Sequence, residues 1–322
     1  MSKIEVLGSG YARPAHRIYN KDLEAILDTS DEWIVQRTGI YSRYVSTQET
    51  TSMLAARAAR AALDNASVDK GKIRLLIVAT LSGDQPMPST ACLVQEQLDM
   101  MDQPLMAFDL NAACSGFLFS LQCASAMLED GQCALIIGAE NLSKVIDWTD
   151  RGTSILFGDG AGAMIIRKGS GGECWHFARS KGDPQRVLDI PGKTLSEVPC
   201  RNVAEQYRYL HMDGREVFRF AVGAMQEAIE AVLERASKTI DEVDLIIPHQ
   251  ANVRILAAVA RHMKLPMERF FINLDEFGNT SAASVPIAFA QAMEQGRLSK
   301  GMKVILVGFG GGLTYGASWM EL

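Results

Sequence analysis

Asp109-Leu110-Asn111-Ala112-Ala113-Cys114-Ser115-Gly116 carries the chain from a strand-like apolar run into a stretch with helical spacing. Apolar residues then recur at Phe117, Leu118, Leu121, Ala124, Met127 and Leu128, and Gly131 stops the pattern. Cys114 therefore falls at a strand-to-helix elbow. Unpaired N–H groups and the positive end of a helix dipole favour thiolate over thiol there, so a nucleophilic sulfur near neutral pH is expected. Free cysteine otherwise behaves as a small buried apolar residue, and Cys92, Cys123, Cys133, Cys174 and Cys200 are read that way. Two more polar residues have comparable settings. His249 follows the apolar run Leu245-Ile246-Ile247-Pro248, and Asn279 stands within Gly278-Asn279-Thr280-Ser281. A thiol, an imidazole and a carboxamide, each at an apolar strand end, point to thioester chemistry.

Working outward, the pattern around the elbow is written twice. Leu75-Leu76-Ile77-Val78-Ala79 matches Leu245-Ile246-Ile247-Pro248-His249 in character, and Ala134-Leu135-Ile136-Ile137-Gly138 matches Val304-Ile305-Leu306-Val307-Gly308 at the same offset. The helix after Cys114 corresponds to one after Asn279, entered from strands carrying Asp109-Leu110 or Asn273-Leu274. Helical patterns at 52–63 and 218–235 alternate with β-rich runs. That alternation predicts an α/β fold of two duplicated halves, with mixed, largely parallel sheets covered by helices. The division is placed at 1–168 and 169–322, with 169–201 as a less regular crossover holding a hairpin. Ligands of open α/β sheets bind beyond the carboxyl ends of strands, so Cys114, His249 and Asn279 are expected to converge on one site.

Composition sets the outer limits. With 322 residues and 48% hydrophobic content the chain can bury a large core. No stretch approaches the roughly 20 apolar residues of a membrane span, and the opening Ser2-Lys3-Ile4-Glu5 lacks the apolar core of a signal peptide. A cytoplasmic protein with reduced thiols is expected. The net charge of −6 disfavours nucleic acid as a partner but leaves room for a local basic patch. Gly158-Asp159-Gly160-Ala161-Gly162 precedes a strand-like run and Gly8-Ser9-Gly10 precedes Pro14. Neither has the strand-turn-helix context of a dinucleotide site, so both are read as structural.

Read together, the motifs identify a family. Asp31-Glu32-Trp33-Ile34-Val35-Gln36-Arg37-Thr38-Gly39-Ile40, the Cys114 elbow, Asp150-Arg151-Gly152-Thr153, the 157–163 glycine run, His249-Gln250-Ala251-Asn252, Gly278-Asn279-Thr280-Ser281 and Gly308-Phe309-Gly310-Gly311-Gly312 occur in order. In this the chain resembles the 3-oxoacyl-(acyl-carrier-protein) synthase III family, condensing enzymes of the thiolase fold. Thiolases resemble it less, because their second cysteine would stand where Gly308 does. Hydroxymethylglutaryl-CoA synthases carry a glutamate in the segment matching Ala79-Thr80-Leu81-Ser82, which holds no carboxylate here. Elongating ketosynthases use Cys-His-His and are longer; plant-type polyketide synthases share Cys-His-Asn and are also longer. A relative serving secondary metabolism, a Cys-His-Asn hydrolase and a non-catalytic carrier-binding paralogue remain alternatives.

The resemblance implies an acyltransferase that opens fatty-acid synthesis. Cys114 would take an acyl group from an acyl-CoA, and a carbanion from malonyl-acyl-carrier-protein would attack it. Covalent catalysis splits one hard step into two. His249 and Asn279 would donate to the enolate oxygen formed on decarboxylation, and His249 would also ease deprotonation of Cys114. The backbone N–H groups of Cys114 and Gly311 would form the oxyanion hole. Trp33, Arg37, Arg151 and Asn252 would bind coenzyme A, a substrate rather than a resident cofactor; neither cofactor nor metal is implied. Phe309 would wall the acyl pocket, and Met87 would enter it from the partner of a homodimer. Acyl carrier protein would dock on Gln250, Ala251, Asn252, Val253 and Arg254, with Arg261 and Lys264 along the same basic helix face.

Overall fold

Ile73 to Ala79, Cys133 to Glu140 and Lys303 to Gly310 are apolar at nearly every position, as strands covered on both faces must be. All three lie inside one large sheet of the computed structural model, which describes residues 2–66, 68–191 and 209–322. The first half contains β1 (Ser2–Ala12), β2 (Arg17–Tyr19), α1 (Asn20–Glu24), α2 (Asp31–Thr38), β3 (Ser42–Tyr44), α3 (Thr51–Ala66) and β4 (Ile73–Ala79). It continues through α4 (Thr90–Gln97), β5 (Met106–Leu110), α5 (Gly116–Met127), β6 (Cys133–Glu140), α6 (Arg151–Ser154) and β7 (Gly160–Lys168). The second contains β8 (Gly172–Ser180), β9 (Leu188–Asp189), β10 (His211–Met212), α7 (Gly214–Ala236), β11 (Leu245–Pro248) and α8 (Val253–His262). It closes with α9 (Leu274–Phe277), α10 (Ser284–Glu294), β12 (Lys303–Gly310) and β13 (Thr314–Glu321).

The nine-stranded sheet runs β11-β12-β13-β8-β1-β7-β6-β4-β5. In the first half β1, β4, β5 and β6 share one direction and β7 reverses; in the second β8, β11 and β12 share one and β13 reverses. The halves join where β1 meets β8 antiparallel. Helices α5 and α10 lie between the two half-sheets, while α3 and α4 cover the outer face of one and α7, backed by α8, that of the other. The burial of α10 explains its composition: every residue from Ser284 to Ala292 is buried, as a helix apolar all round should be.

Several expectations need correction. The stretch after residue 168 is more regular than expected among its described residues: residues 172–180 form β8, and β1 pairs with both β7 and β8, separating them. Residues 192–201 of that stretch, including Cys200, lie outside the described residues. Asn273 caps the short helix α9 instead of ending a strand, and the second-half counterpart of β5 is reduced to a bridge between Ile246 and Phe270. Basic helix α8 ends at His262, so Lys264 sits beyond it at φ +55°.

Candidate active site

Cys114 sits in the single helical turn Ala113–Ser115 between β5 and α5, His249 just past β11, and Asn279 ahead of the turn Ser281–Ala283 that feeds α10. The structure brings all three to the lining of one cavity of about 560 Å³. Backbone hydrogen bonds fix each approach. His249 N–H donates to Val307 at 2.7 Å, Asn279 N–H donates to Leu156 at 2.8 Å, and Asn279 C=O accepts from Gly158 at 3.0 Å.

The resting state of the thiol differs from the sequence expectation. Cys114 is enclosed by both halves, and burial pushes its pKa up to about 12, with the nearby Glu140 carboxylate adding to the rise and the Ser281 hydroxyl opposing it. The elbow therefore holds a thiol at neutral pH, because desolvation outweighs the helix terminus. His249 is displaced the other way. Burial lowers it to about 3, so its ring is neutral. Its Nδ1 lies 2.6 Å from Ser284 Oγ, which also accepts the Gln250 N–H at 3.5 Å. Assigning the Ser284 proton to Nδ1 places the ring proton on Nε2. Asn279 Oδ1 accepts the Ser281 N–H at 2.9 Å, which turns its NH₂ away from that bond. The site thus holds a thiol and two neutral donors.

Phe309 packs edge-on against His249 with centroids 5.2 Å apart and lines the cavity, as do Gly310, Gly311 and Gly312. A Cβ on Gly310 would stand 2.6 Å from the Cys114 nitrogen, so that glycine makes room for the nucleophile's own backbone. Gly8 and Gly10 serve packing alone: a Cβ on either would meet the α3 backbone at 2.5 Å.

Trp33, Arg37, Arg151 and Asn252 come together at one cluster. The Arg151 and Arg37 guanidinium groups lie 4.7 and 5.3 Å from the Trp33 ring centroid, and Asn252 donates to Arg37 C=O at 3.1 Å while capping α8. Along α8, Arg254 and Arg261 are exposed. Gln250 does not belong with them. It is 1% exposed, and its amide donates to Pro248 and Phe271 C=O and accepts the Asn273 N–H, so it braces the His249 turn and offers no docking surface. Ala251 is likewise buried and faces the cavity. Met87 is 84% exposed and lines no part of this chain's cavity.

Sequence reading missed Ser281, Ser284 and Glu140. Glu140 ends β6, and its carboxylate accepts from Leu81 N–H, Thr80 Oγ1 and Ser82 Oγ. Residues 79–82 carry no carboxylate of their own, but one reaches them from the neighbouring strand. The lone acid at the end of an apolar run was the available signal.

Two α/β halves meeting at a buried cysteine elbow define a thiolase-fold condensing enzyme. Residues 108–198 match the model of the 3-oxoacyl-[acyl-carrier-protein] synthase III family, and residues 233–322 match the model of its C-terminal region. Beta-ketoacyl-[acyl-carrier-protein] synthase III of Clostridium perfringens is 43% identical, with 100% of both chains covered. The crystal structure of 3-oxoacyl-[acyl-carrier-protein] synthase III from Aquifex aeolicus superposes with a TM-score of 0.90 at 40% identity, covering 99% of this chain and 100% of that one. The priming beta-ketosynthase of the R1128 polyketide biosynthetic pathway gives 0.91 at 32% identity, with 99% and 96% covered. The chain belongs to the 3-oxoacyl-[acyl-carrier-protein] synthase III family.

Proposed function

We propose that this cavity joins an acyl-CoA primer to malonyl-acyl-carrier-protein with loss of CO₂, and that the acyl group is held on Cys114 between the two half-reactions. The product is a 3-oxoacyl-acyl-carrier-protein, the first condensation of fatty-acid synthesis. One observation carries the assignment of roles: a thiol and two neutral donors face one cavity from the turns that follow β5, β11 and α9. Decarboxylation requires no base to remove a proton. It requires donors at the thioester oxygen where enolate charge develops, and His249 Nε2–H and the Asn279 NH₂ are of that kind. The Cys114 and Gly311 N–H groups would receive the oxyanion of the acyl-transfer intermediates.

Coenzyme A enters as substrate, its adenine taken on the face of Trp33 once the Arg151 guanidinium, now 4.7 Å from the ring centroid, swings out to cover it. Among the described residues no group of three or more His, Cys, Asp or Glu side chains is arranged to hold a metal ion, and no helix is long and apolar enough to cross a membrane. We place the reaction in the cytoplasm, divide the halves at residues 168 and 169, and assign the enzyme as a homodimer. The dimer is supported by β5, a sheet edge beginning with the half-exposed Met106, and by Met87, a large apolar side chain 84% exposed in this chain. The test is incubation with a mass-tagged acyl-CoA. Cys114 alone should be modified, and Cys114→Ser should abolish labelling; labelling of another cysteine with Cys114 untouched removes the assignment.

A further inference from the structure

Two donors that serve one thioester oxygen must be held at a fixed separation, yet His249 and Asn279 leave different elements, and the second half lacks the strand that would tie those elements together. In the first half β4 pairs with β5 over residues 75–79, and the pairing runs one residue further, with Thr80 N–H donating to Leu110 C=O at 3.1 Å. By the match of Leu75–Ala79 with Leu245–His249, the counterpart of Thr80 is Gln250. There the partner strand is reduced to the Ile246–Phe270 bridge, with Phe271 N–H donating to Ile246 C=O at 2.9 Å. Beyond that bridge the Gln250 side chain takes the place of backbone pairing. Its Nε2 donates to Pro248 C=O at 2.8 Å and to Phe271 C=O at 3.0 Å, and its Oε1 accepts the Asn273 N–H at 3.1 Å.

We propose that Gln250, Asn273 and Gln291 are positioning residues for decarboxylation, a buried amide strut that fixes His249 relative to Asn279. The proposal rests on the reading that both donors serve the enolate oxygen. From His249 the contacts run through Gln250 to Asn273. The Asn273 C=O accepts the N–H groups of Glu276 and Phe277, both at 3.2 Å, which closes α9 as the turn leading into Gly278 and Asn279. Asn273 Nδ2 donates to Gln291 Oε1 at 2.8 Å and so ties the strut to α10. Gln291 lies two turns beyond Ser284 on the same face of that helix, and Ser284 Oγ meets His249 Nδ1 at 2.6 Å. One helix therefore holds the imidazole at its first turn and the strut further along.

Gln250, Asn273 and Gln291 are 1%, 6% and 6% exposed. A buried amide costs more than an apolar side chain of its size unless its groups are bonded, so space-filling alone would be served by leucine or methionine. What the amides add is direction, because a hydrogen bond fixes orientation whereas apolar burial is non-directional. None of the three lines the cavity, and they act through the two donors that do. The elbow of Cys114 is held separately, by Thr314 Oγ1 donating to Ala112 C=O at 3.0 Å. Loosening the strut should therefore spare acylation.

The experiment measures the two half-reactions apart on the full chain: acyl-Cys114 formation by peptide mass, and CO₂ release from malonyl-acyl-carrier-protein. Gln250→Met keeps the side-chain shape and removes three hydrogen bonds. Its kcat for decarboxylation should fall about a hundredfold, the scale of a displacement of about 1 Å, with KM and acylation within about threefold of wild type. Gln291→Leu should lose about tenfold on the same step, near the worth of one buried hydrogen bond, and Gln291→Glu, which keeps an oxygen for Asn273 Nδ2, should restore it. In an Asn279→Ala background Gln250→Met should cost no more than about tenfold, because a strut between two donors loses its purpose when one is gone. Wild-type decarboxylation in Gln250→Met, equal loss of both half-reactions, or the same loss with and without Asn279 overturns the proposal. If Gln250→Met does not fold, the Gln291 pair decides alone, and equal rates for Leu and Glu overturn it. Failure of the wild type to release CO₂ overturns instead the reading on which the proposal rests.

Discussion

Asn111 and Asn279 accept the same hydrogen bond in the two halves: each Oδ1 takes the backbone N–H two residues on, from Ala113 at 3.1 Å and from Ser281 at 2.9 Å. The turns that follow match as well, with Ala113 at φ +47° and Ser281 at φ +49°. Residue for residue, the counterpart of Cys114 is therefore Ala282, and the counterpart of Asn279 is Asn111. One copy of the elbow supplies the thiol, and the other supplies the amide. Because its oxygen is committed to the turn, Asn279 can offer the cavity only its NH₂.

That commitment predicts the behaviour of Asn279→Ala. Acyl-enzyme should still form, while malonyl decarboxylation falls by roughly a hundredfold or more, the cost of one oxyanion donor. Mass detection of acyl-Cys114 beside CO₂ release separates the two steps. Equal loss of both would show that Asn279 shapes the whole turn and does not serve one oxygen.

Ser284→Ala removes the hydroxyl that holds the His249 ring proton on Nε2. Decarboxylation should drop about tenfold, near the worth of one buried hydrogen bond, with acylation of Cys114 close to wild type. Rates of the two half-reactions for this variant decide it; a selective acylation defect would assign His249 the base role instead.

How far the sequence reached depends on the range of each signal. Strands β4, β6, β11 and β12 announce themselves as apolar runs, and the elbows as small residues between periods of two and of 3.6. Strand β8 was hidden because Gly172-Glu173-Cys174-Trp175-His176 alternates weakly, its pairing to β1 and β13 being a tertiary fact. The thiolate expectation failed for a related reason. Local sequence shows the helix start but not the second half that closes over Cys114. Glu140 could not be matched to residues 80–82 because 58 to 60 residues of chain separate the hydrogen-bonded partners.

Met87→Phe tests the dimer and the primer pocket together. If Met87 enters the partner's cavity, kcat/KM for branched or longer primers should fall relative to acetyl-CoA, since a methylene in a tight pocket is worth about 1–3 kcal/mol. An unchanged ratio, measured across a primer panel, would remove Met87 from the pocket.

Arg254 is exposed on the first turn of α8, with Arg261 further along, on a chain of net charge −6. Arg254→Glu should raise the apparent KM for malonyl-acyl-carrier-protein and leave acyl-CoA labelling of Cys114 intact. The defect should deepen as ionic strength falls, because complementary charge acts through screened encounter. Steady-state kinetics at two salt concentrations would show this.

Buried titratable groups also set the response to acid. His249 is lowered from 6.5 to about 3 and His176 from 6.5 to about 4, both by burial. Each is neutral when folded, so each contributes stability that is complete above about pH 6.5 and is lost as pH falls, when the unfolded chain binds protons first. Glu140 has the opposite sign. Burial raises it from 4.5 to about 7, so its penalty is greatest above pH 7 and is relieved as pH falls toward 4.5. At about 1.4 kcal/mol per pH unit for each group, two histidines outweigh one glutamate between about pH 6.5 and 4.5. Unfolding free energy should therefore fall by about 1.4 kcal/mol per unit there. Glu140→Gln should steepen the fall to roughly twice that and raise stability at neutral pH, whereas His176→Gln should flatten it. Denaturant melts at half-unit pH steps would test all three slopes, and a wild-type curve flat from pH 6.5 to 4.5 would mean that the histidines are not held neutral.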